Sequence, residues 1–197
     1  MKITSQMVKE LRDKTNAGMM DCKRALGETG GDMEKAVDLL RQKGLAVAAK
    51  RADRATSEGI VECYIHAGGK IGVMVEVGCE TDFVAKTDDF KTFARDVAMH
   101  IAAVNPVALT RDDVPAEMIA REKEIYTKQA LDSGKPENIV EKIVTGKMEK
   151  YLAEICLMEQ KFVKNPDLSI QDLLNELVAK MGENISIKRF TRYQVGA

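Results

Sequence analysis

The histidines and cysteines are the first residues to consider as carriers of chemistry. The 197-residue chain has two histidines, His66 and His100, which are too few for most histidine-based metal sites. None of the cysteines forms a C-x-x-C pair; they are Cys22, Cys63, Cys79 and Cys156. Such thiols, in a chain of this length, are typical of reduced and mostly buried cysteines. We therefore expect neither a metal nor a cofactor.

The sequence also lacks the usual motifs for phosphate binding and nucleophilic catalysis. Gly69-Lys70 is followed by Ile71, and no glycine stands five residues before Gly69, so a phosphate-binding loop is excluded. The patterns G-x-G-x-x-G and G-x-S-x-G do not occur. Many carboxylates follow helical charge pairings such as Glu117 with Arg121, which are typical of solvated faces. The sequence predicts a binding protein, not an enzyme.

Composition narrows the classes of partner. Charged residues make up 31% of the chain, yet the formal net charge is -1, and 45% of the residues are apolar. This balance gives no overall electrostatic bias toward nucleic acid or an anionic membrane. Residues 1–9 lack the apolar segment of a signal peptide, and no apolar run reaches the roughly 18 residues that span a bilayer. We expect a cytoplasmic protein that binds neither nucleic acid nor membrane directly.

The segment from Cys79 to Lys86 is unusual, because it places Phe83 beside Asp82 between a predicted strand and a predicted helix. Two interpretations are open. In the first, Phe83 packs into the core while Thr81 or Asp82 satisfies backbone N–H groups. In the second, Phe83 is an exposed aromatic on a rigid element, which is how interface anchors are built.

The elements that must position this segment begin with three short helices in residues 1–44. Val8 and Leu11 lie one helical turn apart, with Ile3 placed to pack beside them. Asp32 is a plausible N-cap of the third helix, and Gly44 is placed where a C-terminal cap belongs. Residues 45–57 are rich in alanine and cationic residues, so they predict a helical linker.

A core domain follows over residues 58–197. Residues 60–66 and 71–77 predict a β-hairpin around Gly68-Gly69, and residues 185–195 predict a last strand that completes a three-stranded antiparallel sheet. Thr87 and the acids after it predict the start of a helix. Its predicted buried face consists of Phe90, Phe93, Ala94, Val97 and Ile101.

Residues 115–160 predict an antiparallel helical hairpin. Pro115 opens its first helix, residues 133–136 form the turn, and the second helix runs to about residue 160. Its predicted apolar seam includes Ile125, Ile139, Ile143, Tyr151 and Ile155. A last helix is expected after Ser169, ending at Gly182. The fold class is therefore α+β.

Five stretches of the chain together resemble the elongation factor Ts family. They are Leu11-Arg12 through Asn16-Ala17-Gly18-Met19-Met20-Asp21-Cys22-Lys23, Thr81-Asp82-Phe83-Val84-Ala85, Ser133-Gly134-Lys135-Pro136, Met181-Gly182-Glu183-Asn184-Ile185 and Arg189-Phe190-Thr191-Arg192-Tyr193. The resemblance spans nearly the whole chain. It implies an N-terminal module like the ubiquitin-associated domain, a sheet layered with helices, and a projecting helical hairpin.

The resemblance also implies a function, namely guanine-nucleotide exchange on the translational GTPase elongation factor Tu during elongation. In the family, the T-D-F-V segment enters the nucleotide domain of the GTPase near its magnesium and phosphate site. The matching residues here are Thr81, Asp82, Phe83 and Val84, with Asp82 and Phe83 as the displacing pair and Phe83 as the wedge.

Further contacts with the GTPase are implied by the same resemblance. Lys23 is the candidate contact of the N-terminal module, and His66 matches a core contact together with Met181 and Gly182. Val163 and Lys164 match the segment that reaches another domain of elongation factor Tu, although Lys164 departs from an often apolar position.

Other interpretations stay open at the level of sequence. His66, Met181, Gly182 and Lys23 also fit purely structural or surface roles. The chain has length for one sheet unit where longer relatives carry two, so a homodimer presenting both contact surfaces is possible.

Two alternative functions can be formulated. The chain could be an adaptor whose N-terminal module captures another helix-bearing or ubiquitin-like protein. It could also be an RNA-associated factor using a cationic cluster, but it lacks interleaved aromatics for base stacking. That cluster consists of Lys43, Lys50, Arg51 and Arg54.

Overall fold

A computed structural model describes residues 3–15, 17–134 and 136–196, with only the backbone for Glu137 and Asn138. Within these ranges the chain forms eight α-helices and five strands. The helices are α1 (Ser5–Thr15), α2 (Met19–Glu28), α3 (Met33–Arg51), α4 (Asp82–Ala85), α5 (Asp88–Val104), α6 (Ala116–Asp132), α7 (Glu137–Ile155) and α8 (Ile170–Met181). The strands are β1 (Glu58–Ile65), β2 (Ile71–Cys79), β3 (Lys161–Phe162), β4 (Asn165–Ser169) and β5 (Ile185–Gln194). The predicted α+β class is confirmed.

The chain divides into two compact units, each assembled from three segments. The first consists of Met1–Glu62, Val75–Asp96 and Asp172–Lys188. The second consists of Cys63–Met74, Val97–Gln171 and Arg189–Ala197. The division into 1–44, 45–57 and 58–197 follows the sequence and stays a prediction about which segments fold independently.

The three N-terminal helices share a small apolar core, as the sequence predicts. The buried residues of this core are Val8, Leu11, Cys22, Ala25, Leu26 and Ala36, with Ile3 among the partly buried residues around them. Helix α2 ends because Gly30 and Gly31 adopt φ angles of 65° and 89°. The Gly31 N–H donates to the Leu26 carbonyl at 2.8 Å, which satisfies a carbonyl at the helix end. The Asp32 side chain accepts from the Lys35 N–H at 3.1 Å and caps α3.

The predicted end of the third helix at Gly44 is wrong. Helix α3 continues to Arg51, because the alanine-rich residues after Gly44 are good helix formers and Gly44 does not adopt a positive φ. The glycine instead lies beside α8, where a Cβ added at position 44 would stand 3.6 Å from the Ala179 Cβ. Residues 45–51 are therefore the last two turns of α3, and residues 52–57 are not helical.

The three-stranded sheet has the order β1-β2-β5 and is antiparallel. In β2 the residues Val73, Val75 and Val77 are buried, so one face of this strand is apolar and turned to the core. Gly68 and Gly69 adopt positive φ angles in the turn before β2. The Thr87 hydroxyl accepts from the Phe90 N–H at 3.3 Å and opens α5, and the predicted face of α5 is buried throughout.

The helical hairpin is present, but its seam differs from the prediction. Its buried residues are Ala130, Val140, Val144 and Met148, with partly buried Ile119, Tyr126, Ile143 and Tyr151 around them. Ile125 and Ile139 are exposed, because the buried stripe is displaced by one residue to Tyr126 and Val140. Ile155 packs at the base of the hairpin instead.

Helix α7 also ends earlier than predicted. It stops at Ile155, and a single 3₁₀ turn, Leu157–Glu159, follows in place of the residues expected to be helical up to about residue 160. In the predicted turn of the hairpin Lys135 lies outside the described residues, as does Asn16 in the break after α1.

A short antiparallel hairpin of β3 and β4 was not predicted. The last helix and last strand agree with the prediction: α8 begins after Ser169, and Gly182 with φ 72° ends it. None of the helices in the described part of the chain combines the length and the apolarity that a membrane crossing requires.

Candidate functional site

The T-D-F-V segment forms one short, well-anchored helical turn. Thr81 precedes α4, and its hydroxyl accepts from the Val84 N–H at 3.5 Å. Val84 and Ala85 are buried, and the Thr87 hydroxyl donates to the Val84 carbonyl at 2.8 Å. The inner side of the turn is thus fixed to the protein through apolar burial and backbone hydrogen bonds.

Phe83 lies on the outer side of this turn, and 79% of it is exposed. Exposure of an aromatic ring to water is unfavourable, because burying each CH₂-sized part of it would contribute about 0.8 kcal/mol of favourable free energy. The structure therefore excludes the interpretation in which Phe83 packs into the core. The exposure of Phe83 is confirmed, and its role as an interface anchor stays a prediction.

A carboxylate from the far end of the sequence holds the turn in place. Glu183 accepts from the Thr81 N–H at 3.0 Å and from the Thr81 hydroxyl at 2.7 Å. The Cys79 thiol donates to the Thr81 carbonyl at 3.1 Å. Burial, followed by the nearby Glu183 charge, raises the pKa of the Cys79 thiol, which therefore stays protonated and able to donate.

Glu80, the residue before the turn, is also held by the segment that follows α8. Glu80 accepts from the Asn184 N–H at 2.6 Å and pairs with Arg54 at 3.3 Å. These contacts, the backbone hydrogen bond first, hold the pKa of the Glu80 carboxyl below its usual value. The buried Asn184 amide in turn donates to the Ala52 and Arg54 carbonyls at 3.2 and 2.7 Å. The segment after α8 therefore ties residues 52–54 and 80–81 together.

Asp82 and Lys86 add a charged pair beside the ring. Their side chains meet at 2.6 Å across one helical turn, and the Asp82 hydrogen bond raises the pKa of the Lys86 ammonium. The Lys86 Nζ lies 6.0 Å from the centroid of the Phe83 ring. Asp82 can exchange this exposed partner for another cation at little cost, since exposed ion pairs contribute little.

Met181 and Gly182 belong to the same neighbourhood. The Thr87 hydroxyl lies 3.9 Å from the Met181 sulfur, and Gly182, the residue before Glu183, adopts the left-handed conformation that ends α8. The structure thus brings Met181 and Gly182 next to the elements that carry Phe83. Their contact with a partner stays a prediction.

Lys23 lies on the exposed side of α2. Met19 and Met20, which precede it by four and three residues, are exposed as well, and this spacing places the three side chains on one helix face. The sequence motif contained both methionines, but only their exposure shows an apolar patch around the lysine.

The remaining predicted residues belong to the second unit. His66 is exposed in the turn after β1, with its Nδ1 3.2 Å from the Tyr64 hydroxyl. Val163 and Lys164 are exposed and form the turn between β3 and β4. All three are accessible to a partner.

Sequence reasoning assigned no role to Glu183, Glu80 or Asn184. The only signal was that Glu183 and Asn184 directly follow a helix-ending glycine within a family motif. Within the described ranges, no group of three His, Cys, Asp or Glu side chains is placed to hold a metal ion.

These features define an α+β protein in which helical N-terminal elements precede a helix-covered antiparallel sheet, with an exposed aromatic on a rigidly held turn. The family model described as Elongation factor TS matches residues 1–197. The chain belongs to the elongation factor Ts family.

Individual relatives agree with this assignment. The chain is 77% identical over 197 residues to elongation factor Ts of Desulfotalea psychrophila, with 100% of each chain covered. It is 64% identical over 194 residues to elongation factor Ts of Carboxydothermus hydrogenoformans, covering 98% of this chain and 89% of that protein. It is 66% identical over 194 residues to elongation factor Ts of Desulfosudis oleivorans, covering 98% of both.

Proposed function

We propose that this protein binds the GDP-bound form of elongation factor Tu in the cytoplasm and accelerates the release of GDP, without catalysing a covalent reaction. The observation that carries the proposal is the exposure of Phe83 on a turn that Glu183 and buried Val84 hold rigid. A ring presented in this way can enter an apolar cleft of a partner without losing conformational freedom of its own backbone.

The proposed mechanism is a competition between the ring and the nucleotide for the shape of the GTPase. Phe83 fills a cleft that opens when the elements around the magnesium ion and phosphates of the GTPase move. Asp82 approaches the same region as a negative charge. By linkage, a protein that weakens GDP binding by some factor is itself weakened by GDP to the same degree.

The energy of one ring limits what Phe83 does alone. Burying a phenylalanine side chain contributes about 1.5–3 kcal/mol, and each tenfold in rate requires about 1.4 kcal/mol. The ring therefore accounts for an acceleration of GDP release of about 10- to 100-fold. We assign the remaining binding energy to Lys23 with Met19 and Met20 on α2, and to a second set of contacts. That set consists of His66, Met181, Gly182, Val163 and Lys164.

The direct test is the rate of fluorescent GDP release from elongation factor Tu, measured by stopped flow with and without this protein. We expect release to accelerate with protein concentration and to saturate. An unchanged rate at concentrations that form the complex would remove exchange as the function.

The exposed methionines beside Lys23 favour one second candidate, an adaptor that captures another protein through α2. An adaptor has no reason to distinguish nucleotide states of its partner. Pull-down with nucleotide-free and GDP-loaded elongation factor Tu separates the two candidates, because an exchange factor prefers the nucleotide-free form.

The cationic cluster gives less support to an RNA-binding role. Lys43 pairs with Glu28 at 2.8 Å and Arg54 with Glu80 at 3.3 Å, so part of its charge is neutralised within the chain. We accordingly propose a protein partner and no direct nucleic-acid or membrane partner.

We further propose that two copies of the chain associate through the outer face of the second unit's strand segments. Ile65 is 66% exposed on β1, and Met74 is exposed on β2. Ile65 lies over Gly72, since its Cδ1 is 3.1 Å from where a Cβ on Gly72 would stand. Gly72 and Met74 share one face of β2 because side chains alternate along a strand.

Strand β5 extends this apolar face. Arg192 donates from its Nε to the Ala102 carbonyl of α5 at 3.3 Å, so it points toward that helix. The next residue, Tyr193, points the opposite way and is 71% exposed. A second copy brings the same apolar residues to this face, which is how a two-fold symmetric interface is built.

We predict that the substitution Ile65→Lys converts a dimer to a monomer, because each copy would bury an ammonium group in an apolar interface. Light scattering coupled to gel filtration measures the mass. Leu131→Lys on α6 serves as the control, because Leu131 is also an exposed apolar residue but is not part of the proposed interface. A wild-type protein that is monomeric at 100 µM, a concentration on the order of weak dimer affinities, contradicts the proposal.

A further inference from the structure

His100 is a fully buried histidine with no role in the proposed exchange mechanism. Its Nε2 lies 3.1 Å from the Gln160 Oε1, and its Nδ1 accepts from the Val163 N–H at 3.4 Å. Because Val163 donates, Nδ1 must be unprotonated, and the proton must lie on Nε2, where it reaches Gln160. The two contacts together require a neutral ring in one tautomer. Burial also lowers the pKa of His100, which keeps the ring neutral.

Gln160 extends the network to both ends of the β3–β4 hairpin. Its Nε2 donates to the Glu154 carbonyl at 2.6 Å, in the last turn of α7. The backbone carbonyl of Gln160 accepts from the N–H of Ile170, the residue directly after β4, at 3.1 Å. The Phe162 ring of β3 is buried, with its centroid 6.1 Å from that of His100. The imidazole therefore contacts the turn through the Val163 N–H and the residue before β3 through the Gln160 side chain, and Gln160 in turn contacts the residue after β4.

The hairpin needs such support because it is too short to hold itself. Its register consists of Lys161 opposite Ser169 and Phe162 opposite Asn165, with an irregularity between them. A two-stranded hairpin is marginal in water even when it is regular. The exposed turn of Val163 and Lys164 depends on contacts made from outside the two strands.

We propose that His100 is a positioning residue that fixes the Val163–Lys164 turn in the conformation that contacts the GTPase. This inference rests on the proposed function, in which that turn reaches elongation factor Tu. His100 itself is buried and contacts no partner. It acts through the Val163 N–H, and Gln160 holds the ring in the required tautomer.

Two substitutions separate the ring from its nitrogen atoms. His100→Phe keeps the ring volume and removes both polar atoms, so we expect about a tenfold loss of affinity for nucleotide-free elongation factor Tu, as for one or two lost hydrogen bonds. His100→Asn returns an acceptor near the Nδ1 position and should recover part of the loss. Isothermal titration calorimetry measures both.

A double-mutant cycle distinguishes positioning from a general loss of stability. In a Val163→Ala/Lys164→Ala background, His100→Phe should have little further effect on affinity, because the turn it positions no longer makes its contacts. Combined with Phe83→Ala, it should remain additive. Full additivity in the first background overturns the proposal.

Nuclear magnetic resonance provides a test that does not require the partner. A His66→Gln variant leaves His100 as the single histidine, and its ¹⁵N spectrum at neutral pH should show an unprotonated Nδ1. In His100→Phe, amide exchange at Val163 should accelerate at least tenfold, on the order of one lost hydrogen bond, with exchange in α5 unchanged. A protonated Nδ1 or unaltered Val163 exchange refutes the positioning role. Failure of wild-type protein to bind elongation factor Tu refutes the proposed function instead.

Discussion

Phe83→Ala should slow GDP release from elongation factor Tu by about 10- to 100-fold at saturating concentration of the variant, since about 1.5–3 kcal/mol of ring burial is lost from the transition state. The variant should still bind the nucleotide-free GTPase, because the other proposed contacts are intact. It should also fold normally, since a residue that is 79% exposed contributes little to its own core. Stopped-flow release of fluorescent GDP measures the effect.

Companion variants make this result specific. Leu131→Ala removes an exposed apolar side chain from α6 and should leave release at the wild-type rate. Phe83→Leu keeps apolar bulk without the ring and should fall between wild type and Phe83→Ala. Release at the wild-type rate by saturating Phe83→Ala would eliminate the wedge mechanism.

Glu183→Ala tests the anchoring of the turn that carries Phe83, and not the ring itself. It removes both acceptors for Thr81 but leaves Phe83 in place. If rigidity is part of the mechanism, this variant also slows exchange, and Glu28→Ala, which breaks an exposed pair with Lys43, does not. Equal exchange by Glu183→Ala and wild type would mean that the ring acts without preorganisation.

The parts of the fold that sequence predicted well are those governed by local periodicity and turn chemistry. The buried face of α5 follows from apolar residues at helical spacing, and the turn at Gly68-Gly69 follows from the preference of glycine for positive φ. The same local rules identified Phe83 as unusual. They could not decide whether its ring was buried, because that depends on which side of a one-turn helix faces the core.

The errors arise where a local rule competes with neighbouring residues or with distant ones. Gly44 suggested a helix end, but the helix formers after it outweighed one glycine. Ile125 and Ile139 are each one position from the buried stripe, which an apolar neighbour occupies. Strand β3 has two residues, too few to produce a periodic signal.

Local sequence patterns could not predict the long-range hydrogen bonds described above, for a different reason. Thr81 and Glu183 are 102 residues apart in the chain, and His100 and Gln160 are 60 apart. No periodicity connects such pairs. Family motifs contain Thr81 and Glu183 separately, and only the fold shows that one residue fixes the other.

The pairing of β1 with β2, the strand that leads into the candidate site, depends on Gly59. This β1 residue has a φ of 148°, and a Cβ added to it would lie 2.1 Å from the Val77 carbonyl oxygen and 2.8 Å from the Gly78 Cα. Both neighbours are backbone atoms of β2, which cannot move away as a flexible side chain could. Three residues after Val77, the chain reaches Glu80 and the anchored turn.

Gly59→Ala should therefore lower the free energy of unfolding by about 3 kcal/mol or more, because strained φ and a backbone overlap act together. For a chain of this size that corresponds to about 6–12 °C in Tm. Gly146→Ala is the matched control. Gly146 is exposed in α7, and a Cβ at this position would have nothing within 4 Å, so the same added methyl group should stabilise by about 0.5–1 kcal/mol through helix propensity. Chemical denaturation of both variants should give changes of opposite sign. A Gly59→Ala protein as stable as wild type would contradict the close approach of β1 and β2, on which the position of the Phe83 turn depends.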